Sequence, residues 1–194
     1  MATKLVAILG SVTPPGRLLS ATRRLLDDAK ASHGDLEVEL TNLADKRIAF
    51  ADGRPAEQLG DDTASVLASV RAADGVVIAS PVYRGSFTGA LKNLLDHLPV
   101  EALAGKPVGI IAMGATHHHF LGVDWHLRDV LAWFGALVVP TSVYLASNDF
   151  VDGQLGDSAR QDLKALADAV IKLTEVAPAA GSFLGPKPLA SRRG

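Results

Sequence analysis

Apolar and polar positions switch along this chain between two periods, and the switch recurs five times. Short apolar runs within Lys4–Leu9, Gly75–Ala79 and Pro107–Met113 predict strands buried on both faces. Glu37–Leu40 alternates instead and predicts a strand near a sheet edge, and Ala136–Leu145 predicts a fifth strand. Between these runs the apolar residues fall at helical spacing. Leu18, Leu19, Leu25, Leu26 and Ala29 mark one helix, and Val66, Leu67 and Val70 mark a second, capped by Asp61 or Asp62. A third resumes near Thr88 with Leu91, Leu94, Leu95 and Leu98, and a fourth runs from about Phe120 to Phe134. A fifth, capped by Ser158, carries Leu163, Leu166, Ala167, Val170 and Leu173, while Asn42–Gly60 is the least regular internal stretch.

Repeated strand–helix units of this length need right-handed crossovers, so the expected architecture is α/β: a doubly wound, five-stranded parallel sheet between two helical layers. An N-terminal strand–loop–helix of this kind favours the flavodoxin-like order 2-1-3-4-5. Residues 1–176 form one domain in this reading. The stretch 177–194 is rich in Pro, Gly and Ala and is expected to pack on a neighbouring subunit.

In such a sheet ligands bind beyond the carboxyl ends of the strands. The first of these loops reads Gly10-Ser11-Val12-Thr13-Pro14-Pro15-Gly16-Arg17 and runs into a helix, whose free N–H groups and dipole suit a phosphate. Ser11 and Thr13 bring hydroxyls and Arg17 a charge; the bland alternative is a turn with a solvated arginine. No Gly-Lys-Ser/Thr or Gly-x-Gly-x-x-Gly follows, so a nicotinamide cofactor would bind transiently. The second loop, Ser80 to Gly89, carries Pro81, Val82, Tyr83 and Arg84 between small residues that let backbone approach a flat ring. Tyr83 there serves either ring contact or loop packing. Its Gly85-Ser86-Phe87-Thr88-Gly89 segment lacks the nucleophile-elbow spacing. The third loop, Met113 to His119, offers Gly114 and Ala115 as a passage for a ring edge; its three adjacent His residues point alternately, and no metal centre is expected. Trp125, Trp133 and Phe134 are read as core or subunit packing.

Composition narrows the function classes. With 194 residues, 48% hydrophobic and 21% charged, the chain is globular and long enough for a sizeable core. A net charge of -2 argues against a nucleic-acid surface and equally against a strongly acidic electron carrier. The lack of cysteine removes disulfides, thiolate nucleophiles and iron–sulfur sites. No apolar run reaches membrane-span length and no secretory pattern opens the chain, so a cytoplasmic protein with no membrane partner is expected.

Ser80 through Asp96 resembles the Ser/Thr-Pro-x-Tyr, Ser-x-x-Gly and Leu-Lys-x-x-Leu-Asp pattern of the NADPH-dependent FMN reductase family, in particular the flavin reductases that serve sulfonate monooxygenases. Gly10-Ser11 with Arg17 is similar to that family's phosphate loop, and Met113-Gly114-Ala115-Thr116 with His119 to its third loop. The resemblance spans about Lys4 to Val176. It implies a flavodoxin-like three-layer sandwich in which NADPH or NADH reduces FMN, with no catalytic acid or base. It implies that Ser11, Thr13 and Arg17 hold the phosphate with Leu18 also at the cofactor, that Pro81, Val82, Tyr83 and Arg84 hold the ring and ribityl chain, and that Gly114 and Ala115 line the far edge. It also implies a homodimer or homotetramer and a two-component monooxygenase partner. The phosphate loop has Thr13, Gly16 and Leu18 where the family often has another Arg and further Ser residues, which suits a flavin that is released. The rivals are an enzyme that keeps FMN and reduces quinones, azo dyes or metal oxyanions, and a non-enzymatic flavin-binding electron carrier.

Overall fold

The computed structural model of the chain describes residues 2–13, 15–179 and 182–188. Strands β1 (Thr3–Leu9), β2 (Leu36–Asn42), β3 (Gly75–Pro81) and β4 (Pro107–Met113) alternate with helices α1 (Arg17–Ser32), α2 (Thr63–Ala72) and α3 (Gly89–His97). Helix α4 (Gly122–Phe134) leads to β5 (Leu137–Val138) and β6 (Val143–Leu145), and after a short antiparallel pair, β7 (Phe150–Val151) with β8 (Gln154–Leu155), α5 (Asp157–Thr174) closes the fold. The main sheet is parallel in the order β2-β1-β3-β4-β5, as the alternating periods predict.

Pleating sends alternate residues of each central strand to opposite faces. In β1, Leu5, Ala7 and Leu9 join Leu25, Leu163 and Val170 under α1 and α5. Val6 and Ile8 join Val70, Leu94 and Leu127 under α2, α3 and α4. Two cores thus share one sheet, and β1, β3 and β4 read as unbroken apolar runs because both their faces are covered.

Two sequence expectations need correction. The single fifth strand is two pieces, β5 and β6, both beside β4, with 139–142 between them. Pro140 lies at the gap; it has no N–H to give a ladder, and Arg128 takes the carbonyls of Val139 and Pro140, each at 3.0 Å. The last helix starts two residues earlier than a Ser158 cap requires, with Gly156 as its N-cap. The expected cap of α2 by Asp61 or Asp62 holds: Asp62 occupies the cap position, and the Asp61 carboxylate accepts the Thr63 N–H at 2.9 Å.

Helix α4 is only partly inward-facing. Phe134 is buried, whereas Trp125 and Trp133 are 71% and 61% exposed, so neither tryptophan packs in this chain's core. In the tail, Pro178, Ser182, Phe183 and Pro188 lie against Gly105 and Gly135 of the same chain, at the end of the sheet away from the three loops. Residues 180–181 and 189–194 of that tail lie outside the described residues.

Candidate functional site

The loop after β1 and the loop after β3 are built as one unit. Gly10 donates its N–H to the Ala79 carbonyl at 2.7 Å, continuing the sheet past Leu9. Its own carbonyl accepts the hydroxyl of Thr88, a side chain buried under the second loop. The same Thr88 oxygen accepts the Leu91 N–H at 3.1 Å and so caps α3, while the Thr88 N–H donates to Ser80 Oγ at 3.2 Å. One hydroxyl therefore fixes the first loop, the second loop and a helix start.

On the first loop, Ser11 Oγ and Thr13 Oγ1 share a hydrogen bond of 2.7 Å. Helix α1 opens behind them with Gly16 as N-cap, no side-chain cap among the described residues and no acidic residue in its first turn. Its positive end is thus left open to an anion. The Leu18 side chain is buried in the core, which leaves only its amide facing that end of the helix. Arg17 lies over the Phe150 ring, with its guanidinium carbon 5.3 Å from the centroid, and donates to Ser147 Oγ at 3.2 Å. Among the described residues no carboxylate pairs with it. These groups face a hollow of about 240 Å³ that Ser11, Thr13, Arg17, Leu18, Pro81 and Met113 help to line.

Val82, Tyr83 and Arg84 lie beyond that hollow, on a tight turn. Val82 donates to the Met113 carbonyl at 2.8 Å, then Tyr83 and Ser86 exchange backbone bonds of 2.8 and 3.1 Å. Arg84 and Gly85 at the tip have φ of 52° and 78°, the left-handed pair that a two-residue hairpin requires. Gly85 suits that geometry, while Arg84 holds it at a cost of roughly 1–2 kcal/mol. The turn is braced from outside: a Cβ on Gly122, the first residue of α4, would come within 2.6 Å of the Gly85 carbonyl oxygen. Tyr83 is 46% exposed and presents its ring outward.

On the third loop, the space that a Cβ at Gly114 would take is filled by the Tyr144 hydroxyl, which donates to the Thr116 carbonyl at 2.7 Å. Burial pushes the Tyr144 phenol above its usual pKa, so it stays a donor. Gly114 is thus required by the protein's own packing, and Ala115 follows it as an exposed residue. The His117 ring lies 6.0 Å from that of Tyr144, and His118 Nδ1 pairs with Thr116 Oγ1 at 3.1 Å. The sequence reading missed Ser147, Phe150, Tyr144 and the bridging role of Thr88. Ser147 meets Arg17 across 130 residues, a juxtaposition no local pattern carries.

A doubly wound sheet with an open anion cradle at its first strand–helix turn and a glycine-tipped tyrosine turn at its third strand defines a flavodoxin-like nucleotide-binding protein. The family model of NADPH-dependent FMN reductase matches residues 3–150, and the chain belongs to that family. An NAD(P)H-dependent FAD/FMN reductase of Geobacillus thermodenitrificans is 35% identical over 147 residues, 76% of this chain and 79% of that protein. The NADH-dependent FMN reductase SfnF of Pseudomonas fluorescens is 34% identical over 152 residues, 78% and 81% of the two chains. In fold, the chain superposes on the apo crystal structure of an NADH:FMN oxidoreductase, EMOB, with a TM-score of 0.76 at 24% identity, covering 99% of this chain and all of the other.

Proposed function

We propose that this protein is an NAD(P)H-dependent reductase that takes up free FMN, reduces it and releases it, and that its reduced flavin feeds a separate monooxygenase. Family membership supports the reaction, and the anion cradle at the start of α1 carries the choice of FMN over riboflavin. The donors present fit a phosphate: open helix amides, two hydroxyls and a guanidinium without an acidic partner. Ser11, Thr13, Arg17 and the Leu18 amide would hold that phosphate. Pro81, Val82, Tyr83 and Arg84 would hold the ring and ribityl chain, with Gly114 and Ala115 at the far edge. Bound FMN supplies a ring that accepts two electrons from a nicotinamide. The chain contributes binding, orientation and an open approach beside the exposed Tyr83, and needs no side chain as acid or base.

Release fits the small number of side-chain donors on the first loop. Self-association as a dimer or tetramer fits Phe120, just before α4, and Trp125 and Trp133 on it, all exposed. No helix among the described residues is long and apolar enough to cross a membrane, and we place the protein in the cytoplasm. Arg17→Ala tests the reading. Losing a charge-assisted bond of roughly 1.5–3 kcal/mol weakens FMN about ten- to a hundred-fold while riboflavin binding barely changes. Equal losses for both flavins would show that Arg17 does not meet the phosphate.

A further inference from the structure

We infer that Phe150 and Ser147 are positioning residues that hold Arg17 in place for the flavin phosphate; this rests on the phosphate reading of the first loop. An arginine at the first turn of a helix carries several rotatable bonds, and fixing it on a ligand costs conformational entropy. Here the guanidinium already lies on the Phe150 ring and is tied at one nitrogen to Ser147 Oγ. The remaining N–H donors stay available, because the face of an aromatic ring attracts the cation without using them.

The support is itself fixed. The Asp149 carboxylate accepts the Ala146 N–H at 2.6 Å and closes the turn that carries Ser147. Phe150 then pairs with Leu155 in the β7–β8 ladder, the Gly156 N–H reaches the Asp149 carbonyl at 2.8 Å, and the Phe150 side chain packs at the margin of the core under α1 and α5. Asp149, the acid nearest in sequence to this support, is thus engaged with its own turn and forms no ion pair with Arg17. The hairpin after β6 thereby serves the loop after β1.

The experiment measures FMN and riboflavin dissociation constants by flavin fluorescence for Phe150→Leu, Phe150→Tyr, Ser147→Ala and Arg17→Ala, with thermal melts to check folding. Phe150→Leu should weaken FMN roughly three- to thirty-fold, the range of a partly desolvated cation–π contact, and leave riboflavin within about twofold. Phe150→Tyr keeps a ring face and should restore FMN affinity, and Ser147→Ala should cost a few-fold for FMN alone. In the Arg17→Ala background, Phe150→Leu should have no further effect on FMN. Equal losses for both flavins, or fully additive losses in the double variant, overturn the inference. If Arg17→Ala weakens FMN and Phe150→Leu does not, the positioning role fails alone. If Arg17→Ala leaves FMN unchanged, the phosphate reading fails and the inference with it.

Discussion

Replacing Thr88 by valine keeps the shape of the side chain and removes the one hydroxyl that joins two loops and a helix. In the folded protein Gly10 then has a carbonyl with no donor, under a residue that is 2% exposed. An unsatisfied buried acceptor costs about 1–3 kcal/mol. The Leu91 N–H at the start of α3 loses its cap as well, worth about 0.5–2 kcal/mol. Because one oxygen serves both partners, the expected total is about 2–4 kcal/mol, a shift of about 5–12 °C in melting temperature for a domain of this size. Thr88→Ser keeps the hydroxyl and should lose well under half as much. Urea unfolding of the three proteins, with FMN affinity read alongside, supplies the measurement. A valine variant within about 0.5 kcal/mol of the serine variant would refute the argument that the hydroxyl, and not the packing, ties the loops.

Other substitutions probe other parts. Gly122→Ala should displace the 83–86 turn through the Gly85 carbonyl and lower stability by about 1–3 kcal/mol despite alanine's higher helix propensity; unchanged melting would show that the turn yields freely. Arg128→Met should cost about 2–4 kcal/mol, since it strands the buried Asp124 carboxylate and frees two carbonyls at the strand gap. Burial opposes ionisation of Asp124, yet hydrogen bonds from Arg128 and Ser142 outweigh it and hold the carboxyl below its usual pKa. The native contribution is therefore present above pH 4 and fades as acid protonates Asp124, so the gap between wild type and Arg128→Met should narrow in acid melts. Lys106 also adds stability as pH rises, but because its charged form is the disfavoured one. Burial lowers its ammonium to about 8, against the pull of Asp74, while its Nζ donates to the Val70 and Arg71 carbonyls at the end of α2. Between about pH 8 and 10.5 the unfolded chain binds the extra proton, so stability should rise with pH by roughly 3 kcal/mol relative to Lys106→Met, read from urea titrations across that window.

The elements legible from sequence were those whose surroundings are uniform. β4 matches the predicted Pro107–Met113 run end to end because both faces of that strand are buried, and the Leu91–Leu94–Leu95 face located α3 for the same reason. The fifth strand misled because Val138, Val139 and Val143 read as one apolar run, while the break is made by Arg128 reaching over from α4. The β7–β8 hairpin escaped notice because its strands are two residues each and carry no period. The first loop of the site was readable as donors in sequence order. Its support from Ser147 and Phe150 was not, since it depends on tertiary closure between α1 and a segment far along the chain.

The interrupted fifth strand also bears on how copies of this protein avoid one another. An open parallel sheet has two margins, and each unpaired row of amides and carbonyls is a template on which a foreign strand can grow. At the β2 margin Glu37 is exposed and Glu39 is held by Lys4, a charged fringe that discourages such growth. At the other margin Pro140 withholds a donor, and Arg128 occupies two acceptors in the gap between β5 and β6. One margin is guarded by charge and the other by a broken ladder, and both devices work against cross-β stacking on the native fold. A paired change of Pro140→Val and Arg128→Leu would take away both obstacles at once, and the cost would surface as turbidity on storage.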